Sequence, residues 1–209
     1  MRRHFAIIGH IAPSSGKLNL NDLAGDSGRM DVLIRAVNAA LFVSHGIRHD
    51  TDITLHLCGG PGPDRRIWFN GETLSGVRPD ERSIAGQIKA ILKRPVPAIG
   101  VLDEVTQGIF DMGGGLKETL SEWQKQDVSI HVLDADGETI EWISSEQNLG
   151  FILSDHQPFT DIENEMMEPY TRVSLGKQWL QGHACITICL LYTSPSPRDY
   201  AASRMPSSA

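Results

Sequence analysis

The chain has 209 residues, 40% apolar and 22% charged, with a formal net charge of -7, a composition that suits one globular domain or two small ones. No apolar run approaches the roughly 18 residues of a membrane span, and the start MRRHFAIIGHIAP is too short in apolar residues for a signal peptide, so a cytoplasmic setting without a membrane is expected. Three cysteines, Cys58, Cys185 and Cys189, form neither an even disulfide framework nor a CxxC pair, so reduced thiols and no structural metal are expected.

His4 to Gly9 reads as a first strand. A polar loop follows, and then Met30, Leu33, Ile34, Val37 and Leu41 recur at helical spacing, with Ser27 as the expected N-cap. DITLHLC alternates as a second strand, GGPGPDR is rich in breakers, and RIWFNGETL reads as a hairpin turning at Asn70-Gly71. PDERSIAGQIKAILKR places Pro79 at a helix entry and Ile84, Ile88, Ile91 and Leu92 on one face. Residues 95 to 115 lack periodicity and read as a long loop. LKETLSEWQK reads as a short helix, VSIHVL as a strand, DADG as a turn, GFILSD as another strand and TRVSL as the last. Alternating strand and helix patterns predict an α/β fold with a largely parallel sheet. Ligands of such sheets sit beyond the carboxyl ends of the strands. The last three strands end in Leu133-Asp134, Ser154-Asp155 and Leu175-Gly176, and those ends are the expected site.

Charge is uneven along the chain. Residues 1 to 100 carry 13 Lys/Arg against 9 Asp/Glu, and the remainder carries 6 against 17. The surplus includes Arg29, Arg35, Arg65, Arg66 and Arg82, a hint of a local anionic partner set against a solvated surface with chance unevenness. The usual cofactor fingerprints are absent: no GxGxxG leads a strand into a helix, and GGPGPDRR lacks the GK[ST] of a phosphate loop. Gly113 to Gly115 read as a flexible linker before a helix, and Cys185, at the start of the run CITIC, reads as a packing residue and not a nucleophile. Asp155 and His156, adjacent on an extended segment, point to opposite sides and make a poor acid/base dyad.

Four blocks together, NLNDLAGDSGRMDVLIRAVNAALFVSHGIRHDT, RPDERSIAGQIKAIL, FILSDH and VSLGKQWLQGHACITI, resemble the tRNA pseudouridine(54) N1-methyltransferases of the trefoil-knotted SPOUT superfamily, over approximately residues 4 to 189. The resemblance implies a deep C-terminal trefoil knot, a homodimer, and methyl transfer from S-adenosylmethionine to N1 of a pseudouridine in the tRNA T-loop. It also implies a cofactor site of Leu133, Ser154, Leu175, Gly176, Lys177, Gln178, Trp179, Leu180 and Cys185, with Ser154 standing where archaeal-type members commonly have glycine. Arg29 and Arg82 become candidates for RNA contacts, and Arg29, Asp31 and Asp155 for catalytic contacts at the base. A related enzyme acting on a ribosomal RNA pseudouridine, or a non-catalytic RNA-binding protein, is the alternative. Residues 1 to 189 are expected to form a single methyltransferase domain. The Ser- and Pro-rich residues 190 to 209 are expected to lie outside it as a disordered, non-native tail.

Overall fold

The computed structural model describes residues 1–140 and 147–194. Its elements run in chain order as β1 (Arg3–Pro13), α1 (Met30–Leu41), β2 (Phe42–Val43), β3 (Gly46–Ile47), β4 (Thr51–Gly59), β5 (Arg65–Asn70), α2 (Glu81–Leu92), β6 (Leu102–Thr106), β7 (Ile109–Gly113), α3 (Leu116–Lys125), β8 (Ser129–Thr139), β9 (Leu149–Ser154), α4 (Asp161–Met167), β10 (Thr171–Ser174) and α5 (Gly182–Tyr192). Eight strands form one sheet in the order β10-β8-β9-β1-β4-β5-β7-β6, with β2 and β3 as a small separate hairpin. The first five of that order pair in parallel; from β4 onward the pairings are antiparallel.

Alternation along the central strands explains the layers. Phe5 and Ile7 of β1 face a core shared with α1, α2 and α5, whereas Ala6 and Ile8 face Leu116, Leu120 and Trp123 of α3 and Met167 of α4. Strands covered on both faces read as near-continuous apolar runs, as AII of β1 and FIL of β9 do. The expected faces of α1 and α2 are the buried ones: Met30, Leu33, Ile34, Val37 and Leu41, and Ile84, Ile88, Ile91 and Leu92.

Several local expectations are corrected. Residues 95–115 are not a long loop but carry the β6-β7 hairpin. Its edge strand exposes Leu102, and its inner strand buries the charged Asp111, which removes the apolar alternation that would have marked it. No hairpin turns at Asn70-Gly71: β5 turns back on β4 through the breaker-rich residues 60–64 and then pairs with β7. The α1 N-cap is Arg29, not Ser27; the buried Ser27 hydroxyl instead exchanges hydrogen bonds with the backbone of Asn19 and fastens the preceding loop. DADG lies inside β8, in a five-residue stretch, 133–137, that β10 skips: Arg172 pairs with Val132 and Val173 with Glu138. The expected boundary after Cys189 falls inside α5, which continues to Tyr192 with Leu190 buried. Residues 195–209, the rest of the expected tail, lie outside the described residues.

The chain's basic surplus is also reduced. Arg65 and Arg66 are buried: Arg65 faces Asp111 and donates to the carbonyls of Ser14 and Arg94, and Arg66 is tied to Glu122 and Thr119. A guanidinium with its donors committed inside the fold offers nothing to a phosphate.

Candidate functional site

A cavity of ≈ 230 Å³ opens where β9 and β10 end and β8 bulges. Leu133, Leu153, Val173 and Leu175 supply its apolar floor, the segment after β9 (Gln157, Pro158, Phe159) one wall, and the loop Gly176 to Leu180 with Gly182 and Cys185 of α5 the opposite one. The bulge in β8 brings Asp134 and Ala135 to the rim. β9 and β10 end here, while β8, which lies between them, breaks its regular pairing after Val132 and resumes it at Glu138; the gap leaves a trough that the loops following β9 and β10 close.

Eight of the nine residues expected to hold a cofactor line this cavity: Leu133, Ser154, Leu175, Gly176, Gln178, Trp179, Leu180 and Cys185. Lys177 does not; it is exposed on the same loop, where an ammonium keeps its hydration instead of losing it against an apolar wall. Ser154 fits without strain. It is not among the non-glycine residues with positive φ, which are Arg29 and Asp127, and its hydroxyl donates to the Gln157 carbonyl, so it braces the wall. Gly176, with φ 121°, takes a conformation that favours glycine. The Ser174 hydroxyl holds that turn, accepting from Gly176 N–H at 3.1 Å while lying 3.0 Å from the Ala135 carbonyl. Cys185 is half-buried with Sγ 3.7 Å from the Leu180 carbonyl, and burial pushes its thiol pKa upward. A thiol held protonated is a wall atom and a poor nucleophile.

Asp155 joins the cavity to a network that the sequence did not suggest. Its side chain is fully buried and accepts from the backbone N–H of His10 at 3.0 Å and of Gln157 at 2.9 Å. It also meets the His10 ring at 3.0 Å and, more distantly, His156 at 3.4 Å. Burial pushes the Asp155 carboxyl up, but the hydrogen bonds from His10 and Gln157 outweigh it and hold the pKa below the usual carboxylate range. The partner that matters is therefore His10, where the regular pairing of β1 with β4 breaks off after Gly9, and not the adjacent His156. Among the described residues, no group of three or more His, Cys, Asp or Glu is arranged to hold a metal.

Arg29 sits at the entry of α1 in the left-handed region, φ 58°, directly after Gly28 with φ 61°. A Cβ on Gly28 would lie 2.0 Å from the Ile11 carbonyl oxygen, so only glycine lets the chain pass β1 and turn Arg29 outward. Asp31 then anchors it, with Arg29 Nε 3.0 Å from Oδ1 and Nη2 3.4 Å from Oδ2, while Arg35 takes the second oxygen. Asp31 chiefly raises the Arg29 pKa, and the charge of Asp155 adds to it. Arg82 is exposed at the start of α2 and is not among the residues that line the cavity; Arg35, 3.8 Å from Glu81, is one link between α1 and α2.

Comparison with known proteins agrees with this geometry. Residues 1–192 match the profile of a family described as "putative SAM-dependent RNA methyltransferase". The chain is 37% identical over 188 residues to a tRNA (pseudouridine(54)-N(1))-methyltransferase of Methanocella arvoryzae, covering 89% of this chain and 95% of the relative. It is 37% identical over 193 residues to the protein of that name in Haloferax volcanii (91% and 95% covered), and 39% identical over 190 residues to that in Methanosarcina mazei (89% and 88%). Among solved structures, Archaeoglobus fulgidus Nep1 bound to S-adenosylhomocysteine superposes with a TM-score of 0.64, covering 96% of this chain and all of that one, at 14% identity, a likeness of fold.

Proposed function

The chain belongs to the SAM-dependent RNA methyltransferase family, at about 37% identity to archaeal tRNA (pseudouridine(54)-N(1))-methyltransferases, and from that premise we propose that it methylates N1 of the pseudouridine at position 54 of tRNA. The observation that carries the reading is the cavity at the ends of β9 and β10 and the bulge of β8, lined by eight of the nine residues expected for the cofactor. Its donor set suits S-adenosylmethionine. The leucines and Cys185 offer apolar walls for a purine ring, and Asp134, Asn164, Gln157 and Gln178 offer a polar rim for sugar and amino-acid groups. When bound, that cofactor supplies a methyl group on a positively charged sulfur.

The chain's own part is binding and orientation. The wall Gln157 to Phe159 and the loop Gly176 to Leu180 fix where a ligand lies and keep water from its apolar side. Arg29 is presented outward by Gly28 and anchored by Asp31, and is the group we assign to RNA phosphate or base contact; Arg82 is exposed and adds at most a peripheral phosphate contact. Both Asp31 oxygens are engaged by Arg29 and Arg35, and both Asp155 oxygens by His10, Gln157 and His156. We therefore assign both carboxylates to holding the arginine and the cavity wall in place.

Tritiated methyl incorporation from S-adenosylmethionine is expected with a tRNA carrying pseudouridine and not with a ribosomal RNA fragment carrying one; the reverse preference would support the ribosomal alternative, and none with either RNA the non-catalytic one. Arg29→Asn removes the charge while keeping a residue that tolerates the left-handed region. It is expected to weaken RNA binding and to lower the slope of log affinity against log salt by about one, with S-adenosylhomocysteine affinity unchanged. Unaltered RNA binding would take Arg29 out of the interface.

We assign the active form as a homodimer in the cytoplasm. No helix among the described residues is long and apolar enough to cross a membrane. The sequence of α5, GHACITICLLY, is apolar nearly all round, yet Leu191 is 60% exposed, and such a helix normally has both sides covered. Leu191→Lys is expected to shift the mass measured by light scattering toward the monomer. A parent chain that is monomeric at micromolar concentration would refute the dimer.

A further inference from the structure

At the junction of β1, β9 and α4 one imidazole lies between two carboxylates. His10 Nδ1 is 3.0 Å from Asp155 Oδ1 and Nε2 is 3.0 Å from Glu163 Oε2, with the ring 10% exposed. A neutral imidazole has a single N–H, so it can donate to one of these acceptors and must turn a lone pair toward the other. Only the imidazolium donates to both.

We propose that His10, as an imidazolium, is a positioning residue for the cavity: it clamps Asp155 at one end of the segment 155–160 to Glu163 just beyond the other end. Gln157, Pro158 and Phe159, which form one cavity wall, are thereby set at their distance from the leucines opposite. Glu163 Oε2 also accepts from Thr160 N–H at 2.7 Å, closing the capping box of α4, so the clamp and the start of that helix share an atom. The inference rests on reading the cavity as the cofactor site.

The surrounding charges favour this protonation state. Hydrogen bonds to Asp155 and to Glu163 raise the His10 pKa to about 9 against the opposing effect of burial. Glu163, like Asp155, is held below the ordinary range because the His10 hydrogen bond and the Thr160 contacts outweigh its burial. His156 faces Asp155 at 3.4 Å, and the Asp155 charge adds to the raised Arg29 pKa. On β4 the half-buried Cys58 thiol is pushed up to about 12 by burial first and then by neighbouring carboxylates including Glu163, as burial and Glu163 also raise the loop carboxylate Asp64. The sign follows for each group. The His10 contribution is complete below its ordinary value near 6.5 and is lost as pH rises through about 9. Those of Asp155 and Glu163 are present above the ordinary carboxylate range and vanish as pH falls through their lowered values.

Calorimetric titration with S-adenosylhomocysteine from about pH 7 to about pH 10 tests the clamp, with His10→Gln measured beside the parent because the ligand's own amino group titrates nearby. The expected parent profile loses roughly tenfold affinity through the His10 transition. His10→Gln is expected to lose about as much at neutral pH and to lack that step, and the double variant His10→Gln with Glu163→Gln to regain part of the loss by removing an unpaired charge. A step retained in His10→Gln, or a flat parent profile, overturns the clamp and leaves the cofactor reading standing; a parent that binds nothing at any pH overturns both. If His10→Gln does not fold, the His10 ring resonance of the parent decides: titration near about 9 supports the clamp, and titration near the ordinary 6.5 overturns it.

Discussion

Cys185→Trp is expected to lower S-adenosylhomocysteine affinity by on the order of 100-fold or more while leaving the chain folded. Of the two α5 residues that line the cavity, Gly182 and Cys185, Cys185 is the one with a side chain, whereas Ile186, Cys189 and Leu190 are buried and do not line it. An indole added there fills space a ligand needs instead of overpacking the core. Cys185→Ala is the matching control. If the thiol only lines the wall, as its raised pKa implies, the alanine variant retains affinity within a few-fold and retains methyl transfer. Calorimetry on the three proteins checks both statements, and undiminished binding by Cys185→Trp would remove the cavity from the account.

Gly28→Ala is expected to cost roughly 2–4 kcal/mol of stability. Two effects act together: a side chain at φ 61°, and a Cβ placed 2.0 Å from the Ile11 carbonyl oxygen, a backbone atom with no rotamer to yield. For a chain of this size the loss corresponds to a fall of about 5–15 °C in Tm. Because Arg29 leaves the chain at the next residue, RNA affinity is expected to fall further than global unfolding accounts for. Differential scanning calorimetry with RNA titration at a temperature where the variant is folded separates the two. A variant as stable as the parent would show that the α1 entry relaxes without the contact to β1.

The cavity was legible in the sequence because three apolar runs, VSIHVL, FILSD and TRVSL, each give way to small or polar residues, and parallel pairing brings Leu133, Ser154 and Leu175 to one cavity, although β8 itself continues past Leu133 to Thr139. The same reading applied to the first strand would have drawn attention to His10. Glu163 carried a signal of its own, the spacing of Thr160 and Glu163 that marks a capping box. What no local pattern carries is their meeting, because His10 is 145 residues from Asp155 and 153 from Glu163. The β6-β7 hairpin was hidden for a different reason: Asp111 is buried beside Arg65, so a charged residue stands where alternation demands an apolar one. That pairing also explains why the arginines of the first hundred residues overstated the basic surface.

The central claim concerns one atom of one nucleoside, and nucleoside mass spectrometry reads it directly. The purified chain is incubated with S-adenosylmethionine and either of two tRNAs that differ in carrying pseudouridine or uridine at position 54, and the digests are compared. The account predicts 1-methylpseudouridine from the first tRNA and no methylated nucleoside from the second. Methylation of the uridine form, or of neither, would contradict it.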